Sequence, residues 1–162
     1  MIWLISIHIF TTLAMTGIIW FVQIVHYPLF QKVGSNNFVD YETAHVRLTG
    51  QIVMPLMLGE LMTGFMLTFL YSNHIDPPYL LHFGTGLIVI NWFITFLLFV
   101  PIHHSLSQRF SLQLSCRLVS LNWLRTFIWS MRSIIVLTAF MQNIKWPADT
   151  CIRALDGAQM DR

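Results

Sequence analysis

Charge is what this chain has least of. Only 10% of its 162 residues are Asp, Glu, Lys or Arg, against about 25% in an ordinary soluble domain. Together with a hydrophobic content of 56%, that scarcity excludes an ordinary soluble enzyme and a disordered regulator. Excess charge of one sign is also lacking. The 9 Lys and Arg against 7 Asp and Glu leave +2, too little and too dispersed for a nucleic-acid footprint. There are two cysteines, Cys116 and Cys151, without a CxxC spacing, which argues against a thiol redox motor. No HExxH or other local ligand pair exists. No internal repeat is visible, and no inverted repeat or broken half-helix of the kind a carrier needs. The N-terminal segment lacks a basic n-region and its apolar stretch exceeds the usual 7–15 residues, so it reads as a span rather than a signal peptide.

What is abundant is apolar length. The mean hydropathy is +0.64, and a bilayer crossing needs about 20 mostly apolar residues. Four segments qualify, at about 2–25, 51–71, 79–100 and 118–142. In lipid the backbone must satisfy itself within each span. The expectation is therefore an all-α integral membrane four-helix bundle occupying 1–145, followed by a short polar tail at 146–162 where Pro147 stops any helix. Between the first two spans, Phe38, Tyr41, His45, Leu48 and Ile52 follow helical spacing. Ser35, Asn36 or Asn37 offers a cap. This predicts one amphipathic helix at about 36–49, lying at the interface or running on into the second span.

Four spans place both termini on one side. Lys32, Arg47, Arg109 and Arg117 then share the other side, against Lys145, Arg153 and Arg162. The positive-inside rule makes the loop side cytoplasmic and the termini non-cytoplasmic, as in a multi-pass protein of a bacterial inner membrane. Cys116 and Cys151 fall on opposite faces, which excludes an intrachain disulfide by distance.

Antiparallel packing gathers the polar residues. Gln23, His26 and Tyr27 end the first span, Tyr41, His45 and Arg47 precede the second, His103 and His104 end the third, and Asn122, Trp123 and Arg125 begin the fourth. Asn122, Arg125, Trp129 and Arg132 are spaced three, four and three apart, one stripe of a helix. Two arginines on one face are costly towards lipid, so the stripe should point into the bundle. Glu60 lies about 14 Å inside the second span, at a depth comparable to Arg132. A Glu60–Arg132 pair follows, either neutralising two buried charges and setting register or flooring a ligand cavity. The opposite end offers only His8, His74, Asp76 and His82.

His26, His45 and His103 come from three segments and present a mononuclear metal site for iron or copper; the alternative is interfacial histidines bonded to water and headgroups. One haem between His26 and His103 is a further option, and having no cofactor is another. Trp92, Trp123 and Trp129 lie deep enough to wall a pocket for a flat hydrophobic molecule, or serve as packing. Gly59 and Gly64 flank Glu60 and admit a close helix neighbour. Pro55 and Pro101 are candidate kink positions.

The run His26-Tyr27-Pro28-Leu29-Phe30, then Tyr41-Glu42-x-x-His45, Pro101-x-His103, and Asn122-Trp123-x-Arg125-Thr126-x-x-Trp129-x-x-Arg132 resembles an uncharacterised family of small bacterial four-span membrane proteins. These are distantly similar to the anthrone-oxygenase-like membrane proteins. The resemblance spans roughly residues 15–135. It implies an oxygenase acting on a lipophilic phenol without a recognised cofactor motif, with His26, Pro28, Asn122 and Arg125 as the matching residues.

The leading expectation is thus a membrane oxidoreductase or oxygenase for a lipophilic phenol or quinol that enters from the lipid bilayer. His26 or His45 would be the general base and Arg125 the oxyanion partner. Tyr27, Tyr41, Asn122, Trp123, Trp129, Glu60 and Arg132 would contact substrate. The competing expectation is a non-enzymatic subunit, assembly factor or lipid-binding module of a membrane complex, with a membrane-protein partner or a second copy of itself. A small carrier using Glu60 and Arg132 ranks third.

Overall fold

The computed structural model describes residues 1–30 and 32–142. The tail beyond, with Lys145, Trp146, Pro147, Cys151, Arg153 and Arg162, lies outside the described residues. Among the described residues, four helices are long and apolar enough to cross a membrane: α1 (Ile2–Phe30), α2 (Phe38–Leu70), α3 (Tyr79–Leu106) and α4 (Leu112–Met141). They form an all-α four-helix bundle, and the chain is a multi-pass integral membrane protein. Large apolar side chains such as Phe10, Phe69, Phe93, Leu97 and Ile134 point outward towards lipid, as expected where the solvent is itself apolar.

The amphipathic segment does not form a separate helix. It is the beginning of α2, a single helix of 33 residues that starts beside Asn37 and passes through Pro55. Nothing between Phe38 and Ile52 breaks the helical pattern. Pro55 is on the exposed face, where its ring displaces only a lipid-side carbonyl. Ser111 caps α4, accepting a hydrogen bond from the Leu114 amide at 3.3 Å.

α1 and α3 each contain a π-helical turn, at Val22–His26 and Thr95–Phe99. Both turns have the same cause. A proline ring clashes with the carbonyl four residues earlier, and those positions, Ile24 before Pro28 and Leu97 before Pro101, are the centres of the two turns. Widening the helix by one residue relieves the clash. In α1 the extra residue also advances the buried face by one position. Gln23, Tyr27 and Phe30 are buried, whereas Ile24 and Leu29 are exposed.

Packing divides the core by depth. Near the loop end, Tyr27, Phe30, Phe38, Phe99, Leu106 and Leu118 form one cluster. Met15, Ile19, Met57 and Trp129 fill the middle. Leu67, Leu81, Val136 and Phe140 close the end that carries the termini. Gly64 brings α2 close to both α1 and α3: a Cβ there would stand 2.6 Å from Ile88 Cδ1 and 3.2 Å from His8 Cε1.

Candidate functional site

The Glu60–Arg132 pair exists, and it recruits all four spans. Arg132 Nε donates to Glu60 Oε1 at 2.9 Å. Trp129 Nε1 donates to Glu60 Oε2 at 3.1 Å. Arg132 also donates to the Gly84 carbonyl and reaches His8 Nε2 and Thr12 Oγ1, both at 3.4 Å. His8 Nδ1 in turn meets Thr63 Oγ1 at 2.8 Å. Both carboxylate oxygens and all three guanidinium nitrogens thus have partners. A saturated buried network of this kind fixes helix register. His8 belongs to it, rather than to the terminal face where sequence order placed it, because α1 starts at Ile2 and carries His8 about 9 Å inward.

A second polar group forms at the loop end. His26 Nε2 and His45 Nδ1 are 2.8 Å apart, with Thr49 Oγ1 3.0 Å from the same His45 nitrogen. Tyr41 stacks on His26 with ring centroids 6.2 Å apart. His103 Nδ1 donates to Glu42 Oε1 at 2.5 Å, so its other nitrogen, Nε2, is left to accept the Tyr27 hydroxyl at 3.2 Å. Glu42 is fully buried, and its Oε2 has no partner among the described residues.

Beneath this group is a cavity of about 340 Å³, lined from α1 by Met15, Ile19 and Val22, and from α4 by Arg125. From α2 come Val46, Thr49, Gly50, Val53, Met54 and Met57, one helical stripe, and from α3 come Thr95, Phe99, Val100, His103 and His104. Tyr27 and His45 roof it. Val46, Met54 and Val100 on its rim are exposed, so the opening lies between α2 and α3 and faces lipid. The two helices are pinned at the far end by the Thr68–Thr85 hydroxyl pair, 2.7 Å apart. At the near end they meet through Glu42 and His103, and the gap is the stretch between. The volume is at the small end of the ligand-pocket range, about 300–1,000 Å³.

Of the residues expected at the site, His45, His103, Tyr27 and Arg125 line this cavity. His26 stands behind His45 and touches the cavity only through it. Tyr41 lies against His26 and is not part of the lining. Asn122 is buried between α1 and α4, where its Nδ2 donates to Gln23 Oε1 at 2.9 Å. Trp123 faces outward, packed edge-on against Trp20 at 5.8 Å, and is about half exposed. Its position between Asn122 and Arg125 puts it on the opposite side of α4. Trp129, Glu60 and Arg132 belong to the deeper network, not to the cavity lining.

Cofactor fits follow from the same geometry. Among the described residues no three His, Cys, Asp or Glu side chains are disposed to hold a metal ion. His26 Nε2 and His45 Nδ1 point at each other, while the two His103 nitrogens point at Glu42 and Tyr27, so these nitrogens share no common point. A haem between His26 and His103 does not fit either. The His45 ring stands 4.4 Å from His26 and 5.6 Å from His103, leaving no slot for a porphyrin.

Arg125 is the exceptional group. It is buried, its guanidinium lies 4.6 Å from the Phe99 ring and 5.1 Å from Trp129, and no carboxylate pairs with it among the described residues. Sequence reading missed Glu42 as a site residue. Its place three residues before His45 on the same helix was the available signal, but only the approach of α3 shows that it serves His103. No protein-family model, no curated protein and no solved structure matches this chain.

Proposed function

We propose that the cavity binds a lipophilic phenol or quinol drawn sideways from the bilayer, and that the protein is a membrane oxidoreductase that passes its substrate's electrons to dioxygen. The carrying observation is the His103 ring: its Nδ1 is held by buried Glu42 and its Nε2 faces the cavity roof beside Tyr27. A carboxylate behind an imidazole orients it as a general base. In this reading the substrate O–H bond breaks, its proton passes to His103 directly or through Tyr27, and the electron pair stays on the phenolate oxygen. A quinol gives up two electrons and two protons in total, and dioxygen takes them, leaving a quinone and hydrogen peroxide. His45, bonded to His26, shapes the roof and supplies a second proton acceptor. The family resemblance supports a dioxygen-dependent reaction on a lipophilic phenol. The lipid-facing mouth supports a substrate that partitions into the membrane. In the bacterial inner membrane, the surplus of Lys and Arg at the loop end would set this site near the cytoplasmic face.

The test is oxygen uptake by the protein in lipid nanodiscs supplied with a lipophilic quinol. His103→Ala should lower turnover by about a hundredfold or more, the usual scale of a general base, while His82→Ala should leave it unchanged. Failure of wild type to consume oxygen with any quinol or phenol offered would reject the enzyme reading. A second reading, a subunit or assembly factor of a membrane complex, is favoured by the outward Trp20–Trp123 pair, with Trp20 Nε1 bonded to Ser130 at 3.0 Å on the exposed surface. A stoichiometric membrane-protein partner lost in Trp20→Ala would support it.

A further inference from the structure

Arg125 presents an electrostatic imbalance inside the bundle. Its side chain is only 7% exposed. Its Nε is buried without a hydrogen-bond partner among the described residues, and the side chain lines the cavity. No ionisable group around it pairs with it among the described residues: Glu42 accepts from His103 through Oε1 while its Oε2 is unpartnered, the Tyr27 hydroxyl faces His103, and Glu60 is spent on Arg132 and Trp129. Two aromatic faces, Phe99 and Trp129, flank the guanidinium, and such contacts recover only part of the cost of taking an ion out of water. Arg132, one helical repeat deeper on the same stripe, shows what complete compensation looks like in this fold. The contrast between the two arginines is the observation. One is saturated by protein, and the other lines a cavity with no carboxylate paired to it among the described residues.

From this we infer that the cavity takes its ligand as an anion: a lipophilic molecule carrying a single anionic oxygen group, a carboxylate or an ionised acidic phenol, whose oxygen pairs with Arg125. The inference rests on the lateral cavity being the ligand site, as proposed above, and narrows the ligand class beyond a neutral quinol. A guanidinium suits this task because it stays charged at any working pH and offers paired N–H donors to a planar oxyanion. Val53, Met54 and Met57 would cover the apolar body, while the opening between α2 and α3 admits it from lipid. The site would leave Arg125 uncompensated until the anion arrives, so ligand binding and bundle stability are linked.

Two charge-matched probes test this: 2-naphthoic acid and the neutral 2-naphthalenemethanol, measured by equilibrium dialysis against protein-loaded nanodiscs at neutral pH, with empty nanodiscs of the same lipid as the partition blank. Wild type should bind the acid at least about tenfold more tightly than the alcohol, the scale of one charge-assisted hydrogen bond. Arg125→Gln should erase that preference while keeping the alcohol, and Arg125→Lys should retain part of it. Equal binding of acid and alcohol by wild type, or an undiminished preference in Arg125→Gln, overturns the anion inference and leaves the lateral cavity standing. If wild type binds neither probe above the blank, the cavity reading and the anion inference both fall. Arg125→Met supplies an independent readout. Without ligand it should unfold at a higher temperature than wild type, and added naphthoate should raise the melting temperature of wild type only. A lower melting temperature of Arg125→Met would mark Arg125 as a structural residue and overturn the inference.

Discussion

Glu42 Oε1 lies 2.5 Å from His103 Nδ1, across 61 residues of sequence and between two different spans. The contact ties the start of α2 to the end of α3, spans the rim of the lateral opening, and leaves His103 Nε2 as an acceptor towards Tyr27. One carboxylate therefore closes the loop end of the bundle and orients the ring best placed to take a proton.

Replacing Glu42 by Gln keeps the shape and removes the charge. A charge-assisted hydrogen bond becomes a neutral one, a loss of about 1–2 kcal/mol in stability. Turnover should fall through kcat with little change in KM, because the side chain reaches the cavity only through His103. Thermal unfolding and steady-state kinetics in nanodiscs check both parts.

Glu60 and Arg132 behave differently. Glu60→Gln or Arg132→Gln alone strands a buried charge and should destabilise the bundle by about 3–5 kcal/mol. The double variant Glu60→Leu, Arg132→Met should recover most of that loss. Unfolding in mixed micelles measures it; additive losses in the double variant would mean the two residues do not act as a pair.

Gly64 sets the approach of α2 to α3. A methyl group at Gly64 meets Ile88 Cδ1 at 2.6 Å, so Gly64→Ala should cost about 1–3 kcal/mol by overpacking. Ile88→Val removes the clashing carbon and should restore much of the stability when combined with it. A double-mutant cycle on melting data provides the coupling.

Gly50 lines the cavity and has no atom near its missing Cβ. Gly50→Phe should therefore fold with unchanged or raised stability, helped by about 0.5–1 kcal/mol from replacing a mid-helix glycine, and fill the opening. Probe binding should disappear. Retained binding in a well-folded Gly50→Phe protein would place the ligand elsewhere.

Two tryptophans from one stretch of α4 should separate cleanly. Trp123→Ala removes a half-exposed ring on the lipid side and should leave ligand binding unaltered. Trp129→Phe deletes the donor to Glu60 Oε2 and should cost about 1–3 kcal/mol, the penalty of an unpaired buried acceptor. Paired binding and melting measurements on both variants decide it.

Much of this architecture is written in local composition. The four spans follow from runs of apolar residues longer than a bilayer requires, a property each segment carries alone. The inward direction of Arg132 follows from the cost of a guanidinium in lipid, which needs no knowledge of the neighbours. Glu60 as its partner followed from equal depth along two spans that start at the same face. The convergence of His26, His45, His103 and Arg125 at one end was likewise a consequence of span order.

What the chain order could not decide is rotation. Whether a residue on a helix faces the cavity, a neighbour or lipid depends on the azimuth at which the helices dock. A π-helical turn before Pro28 resets that azimuth by one residue, burying Tyr27 and leaving His26 at the edge. The same freedom turned Trp123 outward while Arg125, two residues on, faced inward. It brought Glu42 to His103 and left Arg125 without a paired carboxylate among the described residues. Depth is set by sequence because rise per residue is constant. The pairing of groups at equal depth belongs to tertiary structure, since it depends on side-chain packing between helices that no single segment contains.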